Sequence, residues 1–153
     1  MVSFQQEFLC QVEVDIVPLI EDHWEEIGQN KGPIKLNPDW DAYKNLEQAG
    51  LLNVFTARSQ GKLVGYFVVI VARHIHYKDH IFASQDLLYL CPEYRKGMTA
   101  IKLVKFAEKY LKEDGVSVMV MNTNIEKPFD LLLERLGFTY TERLYSKYVG
   151  GNS

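Results

Sequence analysis

Residues 63–73, Leu-Val-Gly-Tyr-Phe-Val-Val-Ile-Val-Ala-Arg, are apolar at odd and even positions alike. Their β-branched and aromatic content favours extended backbone. Side chains of a strand alternate between faces, so a strand apolar on both must be covered on both. That requires a sheet with packing layers above and below it, the arrangement of mixed α/β domains. Residues 53–58 form a second strand candidate, separated from the first by the turn Ser59-Gln60-Gly61-Lys62. Residues 81–91 form a third, ended by Pro92, after a linker rich in His and Lys over 74–80. Together the three read as an antiparallel meander.

The flanking segments have helical period. Over residues 8–27, Val12, Ile16, Leu19, Ile20, Trp24 and Ile27 recur at helical spacing between acidic residues. Pro18 marks a point of interruption, since proline removes a backbone bond. A second helix is expected to open at Asn37-Pro38, with Asn37 as cap, and to end near Gly50. Residues 97–113 set Ile101, Val104, Ala107, Tyr110 and Leu111 on one side and Lys102, Lys105, Lys109 and Lys112 on the other. A buried strand over 116–121, a helix over 127–136 and a last strand over 138–148 complete the order, and Gly150 to Ser153 reads as a frayed tail.

The chain has 153 residues, 47% hydrophobic and 24% charged, enough for one domain spanning 1–153 with its own core. A net charge of −3 and the lack of a basic stripe argue against nucleic acid as partner. Cys10 and Cys91 stand far apart and suit a reducing, cytoplasmic setting. Cys10 is expected in the core, and Cys91 is expected as a small buried hydrophobe rather than a nucleophile. No apolar run is long enough to span a bilayer, and residues 1–10 do not read as a leader.

Chemistry concentrates where the third strand meets the lysine-faced helix. Pro92 ends the strand, Arg95, Lys96 and Gly97 follow in a turn, and the helix begins. A helix start carries amide hydrogens without intrahelical acceptors and the positive end of the macrodipole. Small residues allow a diphosphate to approach such a backbone closely. A plain strand–turn–helix connection fits the same residues equally well.

The run Pro92-Glu93-Tyr94-Arg95-Lys96-Gly97-Met98-Thr99-Ala100 resembles motif A of the GNAT family of N-acetyltransferases, Arg/Gln-x-x-Gly-x-Gly/Ala. Arg95 and Ala100 fit the pattern, while Met98 replaces its usual first glycine. The segment Leu132-Leu133-Glu134-Arg135-Leu136-Gly137-Phe138 is similar to a second family element. These elements, with the ending Tyr145 to Gly150, look most like small bacteriophage acetyltransferases.

The resemblance implies a curved, mostly antiparallel sheet with a splayed strand pair and flanking helices, and acetyl-CoA as co-substrate. It implies that Leu88, Leu90 and Cys91 bond the pantetheine arm. It gives the diphosphate to the amides of Arg95, Lys96, Gly97, Met98, Thr99 and Ala100. Asn122 or Asn124 would lie beside the arm, or would cap the following helix. An amine attacking a thioester needs a base and an oxyanion donor, here a backbone N–H near Leu90. Asp86, on the strand leading into the motif, is the first candidate base, or it is a strand-edge carboxylate facing water.

His74, His76 and His80 follow as candidate bases, and a polar loop is their simpler reading; a metal is not expected. The family's usual acid, a tyrosine, falls at Leu133, leaving Tyr140 and Tyr145 nearby, with Tyr145 the candidate acid. Trp24, Trp40 and Tyr43 line an acceptor pocket or simply pack. The acceptor is an amine of unspecified identity, and the edge of the last strand predicts pairing with a second copy. The alternative is a catalytically silent binding protein on the same fold, a reading that Met98 and Leu133 favour.

Overall fold

The computed structural model describes residues 1–151; Asn152 and Ser153, the end of the expected frayed tail, lie outside the described residues. Ten elements follow one another, nine of them labelled here: β1 (Val2–Glu7), α1 (Leu9–Ile27), α2 (Trp40–Gln48), β2 (Leu52–Ser59), β3 (Lys62–His74), β4 (Tyr77–Leu90), a short 3₁₀ turn (Pro92–Tyr94), α3 (Thr99–Glu113), β5 (Val118–Val120) and α4 (Asp130–Arg135). The sheet runs in the order β1-β2-β3-β4-β5. The first three pairs are antiparallel and β4–β5 is parallel. None of the helices is long and apolar enough to cross a membrane, among the described residues.

The apolar run at 63–73 is the central strand, as its two-faced pattern requires. On one face Tyr66 and Val68 pack with Leu9, Val12, Ile16 and Ile20 of α1. On the other, Phe67, Val69 and Val71 pack with Leu103, Val104, Ala107 and Leu111 of α3. Each such side chain contributes about 1.5–3 kcal/mol by leaving water, so the two layers hold the sheet from both sides. Gly65 pairs with Leu90 across β3 and β4, where there is no room for a side chain. A Cβ there would meet Leu90 Cδ1 at 2.6 Å and Tyr89 O at 2.9 Å.

Several expectations are corrected. Residues 2–7 form an edge strand that the sequence pattern does not announce, because only Val2 and Phe4 in it are apolar. Pro18 does not interrupt α1; it and Val14, whose carbonyl loses its intrahelical partner, lie on the exposed side. Asp39, not Asn37, caps α2, its Oδ1 accepting the Ala42 amide at 2.9 Å. Residues 74–80 are no linker: β3 and β4 continue into a tight hairpin with His74 paired to Tyr77, and His74 packs on Phe82 at 4.5 Å. Cys10 is exposed rather than in the core, one position beyond the inward-facing Leu9.

The expected 127–136 helix shrinks to α4, because Asn124 Oδ1 and Thr123 Oγ1 take the amides of Glu126 and Phe129 and hold the preceding residues in a turn. The expected last strand is absent. Phe138 N bonds back to Leu133 O at 2.9 Å, and residues 139–151 carry no regular structure. β-propensity without a neighbouring strand does not make a ladder.

Candidate active site

β4 and β5 pair only from Phe82–Val118 to Ser84–Val120, yet β4 continues to Leu90. The two strands therefore part after Ser84. Gln85 sits at the point of parting. Its Oε1 accepts the Asn122 amide at 3.1 Å, and its Nε2 donates to Asn122 Oδ1 at 3.3 Å. The side-chain amide thus supplies one more rung where the backbones are already too far apart.

Immediately beyond lies a bulge. Val69 pairs with Gln85 and Val68 with Leu87, leaving Asp86 as the extra residue. A bulge reverses which residues face each edge. Before it, Ile81 O accepts Ser117 N on the β5 side. After it, Cys91 N donates to Val64 O, at 2.8 Å, on the β3 side. Alternation then turns the backbone groups of Leu88 and Leu90 toward the gap β5 has left. Of the three residues expected along this edge, Leu88 and Leu90 face it. Cys91 does not, since its amide serves Val64 and its carbonyl accepts Tyr94 N at 2.8 Å. Burial raises the Cys91 thiol above its ordinary range, as befits an apolar packing role.

The strand leads into the 3₁₀ turn, Gly97 at φ +82°, and α3. The first bond of α3 is Lys102 N to Met98 O, so the amides of Thr99, Ala100 and Ile101 have no intrahelical acceptor. The cap residue Met98 offers no side-chain bond, and the first turn of α3 holds no acidic residue. A helix start left without Ser, Thr, Asp or Asn forgoes about 1 kcal/mol, which an anion bound there restores. Lys96 and Gly97 are exposed beside it. The Arg95 amide is taken by Pro92 O at 3.2 Å.

Arg95 itself points elsewhere than the sequence suggests. Its Nε donates to Leu90 O at 2.7 Å, and its terminal nitrogen donates to both carboxylate oxygens of Glu26 at 2.8 and 2.9 Å. Its guanidinium lies over the Tyr89 ring at 5.3 Å. It therefore clasps α1 to the end of β4.

On the α1–α2 face of β4 polar groups gather: Asp86 and Tyr43, both named from the sequence, and His23, Tyr66 and Tyr89, which sequence reasoning missed. Tyr43 Oη of α2 donates to Asp86 Oδ2 at 2.5 Å. Burial, then this bond, raises the Tyr43 phenol and keeps it protonated. His23 Nδ1 of α1 lies 3.2 Å from Tyr66 Oη, and its ring stands 5.2 Å from that of Tyr89. Burial pushes Tyr89 up to about 12. Burial depresses His23, Glu26 opposes this and Arg95 adds to it. The net lowering holds the imidazole neutral in the fold, so acid protonates the unfolded chain first. Stability should be present above about pH 6.5 and fall below it. The His23→Gln chain should lose less stability between about pH 7.5 and 5.5, read from urea unfolding at each pH. The signal available in the sequence was His23 continuing the buried stripe Val12-Ile16-Ile20.

Other candidates are not gathered here. Tyr145, 83% exposed, stands in the segment after Phe138. Asn124 closes its own turn and Asn122 is engaged with Gln85. His80 Nδ1 lies 3.0 Å from Ser117 Oγ, and no group of three metal-ligating side chains occurs among the described residues.

No family model matches the chain, and no curated protein matches it by sequence. Solved structures do. An aminoglycoside acetyltransferase from an uncultured soil metagenomic sample, in complex with sisomicin, superposes with a TM-score of 0.75 at 16% identity, over 99% of this chain and 97% of that one. A ribosomal-protein-alanine N-acetyltransferase from Brucella melitensis biovar Abortus gives 0.72 at 18% identity, over 98% and 100%. A predicted acetyltransferase from Clostridium acetobutylicum with acetyl-CoA gives 0.72 at 13%, over 97% of each chain. The parted strands, the bulged β4 and the uncapped start of α3 thus belong to a chain with the GNAT acetyltransferase fold.

Proposed function

We propose that the protein transfers an acetyl group from acetyl-CoA to a cationic amine by direct attack in a ternary complex. The observation that carries this reading is the β4 edge that β5 has left, with the Leu88 backbone and the Leu90 N–H turned to it and the Leu90 carbonyl held by Arg95, leading straight to the uncapped helix start at Thr99. The edge suits the amide-rich pantetheine arm, and the helix start suits the diphosphate. The Leu90 N–H is placed to receive the developing oxyanion. The amine nitrogen bonds to the carbonyl carbon, the carbon–sulfur bond breaks, and coenzyme A leaves as thiolate. A thiol of ordinary pKa, about 8.5, is a workable leaving group without an acid.

Asp86 takes the proton of the attacking amine, directly or through water, and Tyr43 fixes its orientation. The acceptor side supports a positively charged substrate. Helix α1 carries six carboxylates and no Lys or Arg; four of them pair with Lys31, Lys44, Arg58 and Arg95, and Glu21 and Asp22 have no ion pair among the described residues. Asp39, Trp40 and Asp41 line an open groove at the start of α2. Aminoglycosides, the acceptors of the soil acetyltransferase, belong to this chemical class.

The test is thiol release from acetyl-CoA with a panel of polyamines and aminoglycosides. Amine-dependent release is expected, with kcat/KM lowered about a hundredfold in Asp86→Asn and less in Tyr43→Phe. Coenzyme A binding without release for any amine would leave a silent binding protein instead.

A further inference from the structure

Two side chains bound the opening that β5 leaves along β4. At its near end the Gln85 amide bridges to Asn122. At its far end Arg95 Nε donates to the Leu90 carbonyl at 2.7 Å. Each supplies a hydrogen bond where the neighbouring strand no longer can. Gln85 belongs to β4 itself, whereas Arg95 reaches back from beyond the 3₁₀ turn.

The Leu90–Cys91 peptide is thereby held on both sides. Arg95 takes its carbonyl, and its N–H donates to Val64 O at 2.8 Å. The unit is planar, so with both polar groups bonded it cannot turn. Edge backbone without such bonds opens easily. Of the Leu88 and Leu90 carbonyls turned to the opening, Arg95 closes the second and leaves the first.

The guanidinium is already neutralised. Its terminal nitrogen donates to both oxygens of Glu26, near the end of α1, and the two side chains are only 34% and 21% exposed. Little of its charge is left for an anion at the start of α3. A planar fork can serve a carbonyl through Nε and a carboxylate through a terminal nitrogen at once, which the single ammonium of a lysine cannot do.

We infer, resting on the acetyl-CoA reading, that Arg95 held by Glu26 is a positioning residue that sets the register of the pantetheine arm on β4. The amide N–H groups of that arm need a carbonyl acceptor. With Leu90 O closed they are directed to Leu88 O, which brings the thioester toward Asp86. A slip to Leu90 would shift it by two residues, about 7 Å along the strand, far beyond what a reacting geometry tolerates. Arg95 acts through Leu90 and touches no reacting atom.

Arg95→Met and Arg95→Lys separate register from charge. Coenzyme A affinity, by calorimetry, should stay within about fivefold of wild type in both. With an amine that the wild type acetylates, kcat should fall at least about tenfold in both, the lysine failing to rescue it. Glu26→Gln, which keeps the shape of its side chain, should lower kcat by less. The backbone amide resonances of Leu88 and Leu90 report register without turnover. Coenzyme A should shift both in wild type, and in a different pattern in Arg95→Met. A loss of affinity of about tenfold or more in Arg95→Met, restored in Arg95→Lys, would assign Arg95 to the diphosphate and overturn the inference. Identical coenzyme A-induced shifts in wild type and Arg95→Met would overturn it too, whether or not the thioester turns over. A wild-type chain that binds no coenzyme A would overturn the acetyl-CoA reading itself, and this inference with it.

Discussion

Thr99→Glu should weaken coenzyme A binding about a hundredfold without weakening the fold. Thr99 is the first residue of α3, beside amides that have no intrahelical acceptor, and no acidic residue occupies that turn. A carboxylate at a helix start interacts favourably with the dipole, by about 0.3–1 kcal/mol. Its stability effect is therefore neutral or favourable. Its effect on a bound diphosphate has the opposite sign. Two like charges about 5 Å apart at an effective dielectric near 20 repel by about 3 kcal/mol, which corresponds to about a hundredfold in dissociation constant. The variant should melt at or above the wild-type temperature and bind coenzyme A at least about a hundredfold more weakly. Thr99→Ala separates this from loss of the hydroxyl and should bind almost normally. Equal affinity in Thr99→Glu and wild type would place the diphosphate elsewhere.

Glu7→Ala should cost about 3 kcal/mol of folding stability. Glu7 ends β1 and is only 6% exposed. Arg58 of β2 grips it with two nitrogens, Nε at 2.8 Å and a terminal nitrogen at 3.1 Å. Thr56 Oγ1 donates to the same carboxylate, and Gln5 Nε2 donates at 3.2 Å. Burial alone would raise its pKa, but the bonds from Arg58 and Thr56 and the Arg58 charge outweigh it and hold the carboxyl below its ordinary range. Removing one partner of a buried pair costs 3–5 kcal/mol in general. The lower end applies because Arg58 keeps Asp15 at 3.1 Å and Gly61 O at 2.9 Å.

The sign with pH follows from the lowered value. Glu7's contribution is complete above the unfolded carboxyl pKa, about 4.3, and is lost as pH falls through the folded one. Urea midpoints at neutral pH and at about pH 3 should converge for wild type and Glu7→Ala. A neutral-pH loss below about 1 kcal/mol would mean the pair adds no more than a surface bridge does.

Local pattern made much of this architecture readable. The two-faced run at 63–73 demanded cover on both sides, and α1 and α3 provide it. The strand–Pro–turn–helix join at 86–100 could be placed because every part of it is contiguous. What stayed hidden depends on partners distant in sequence. β1 exists because β2 pairs with it and Arg58 holds Glu7; Val2-Ser-Phe-Gln-Gln-Glu7 alone is too polar to declare itself. Tyr43 and Asp86 are separated by 43 residues, as are His23 and Tyr66, and Arg95 reaches back 69 to Glu26. The segment at 138–148 shows the reverse case. Its residues favour a strand, yet among the described residues it pairs with no strand, because local propensity does not decide whether a segment docks on the open β5 edge.

Coenzyme A binding is the claim on which the enzymatic reading stands, and calorimetric titration of the folded wild-type chain measures it directly. One molecule per chain should bind, and Thr99→Glu should weaken that binding about a hundredfold. Absence of any binding heat from a chain shown to be folded would contradict the account.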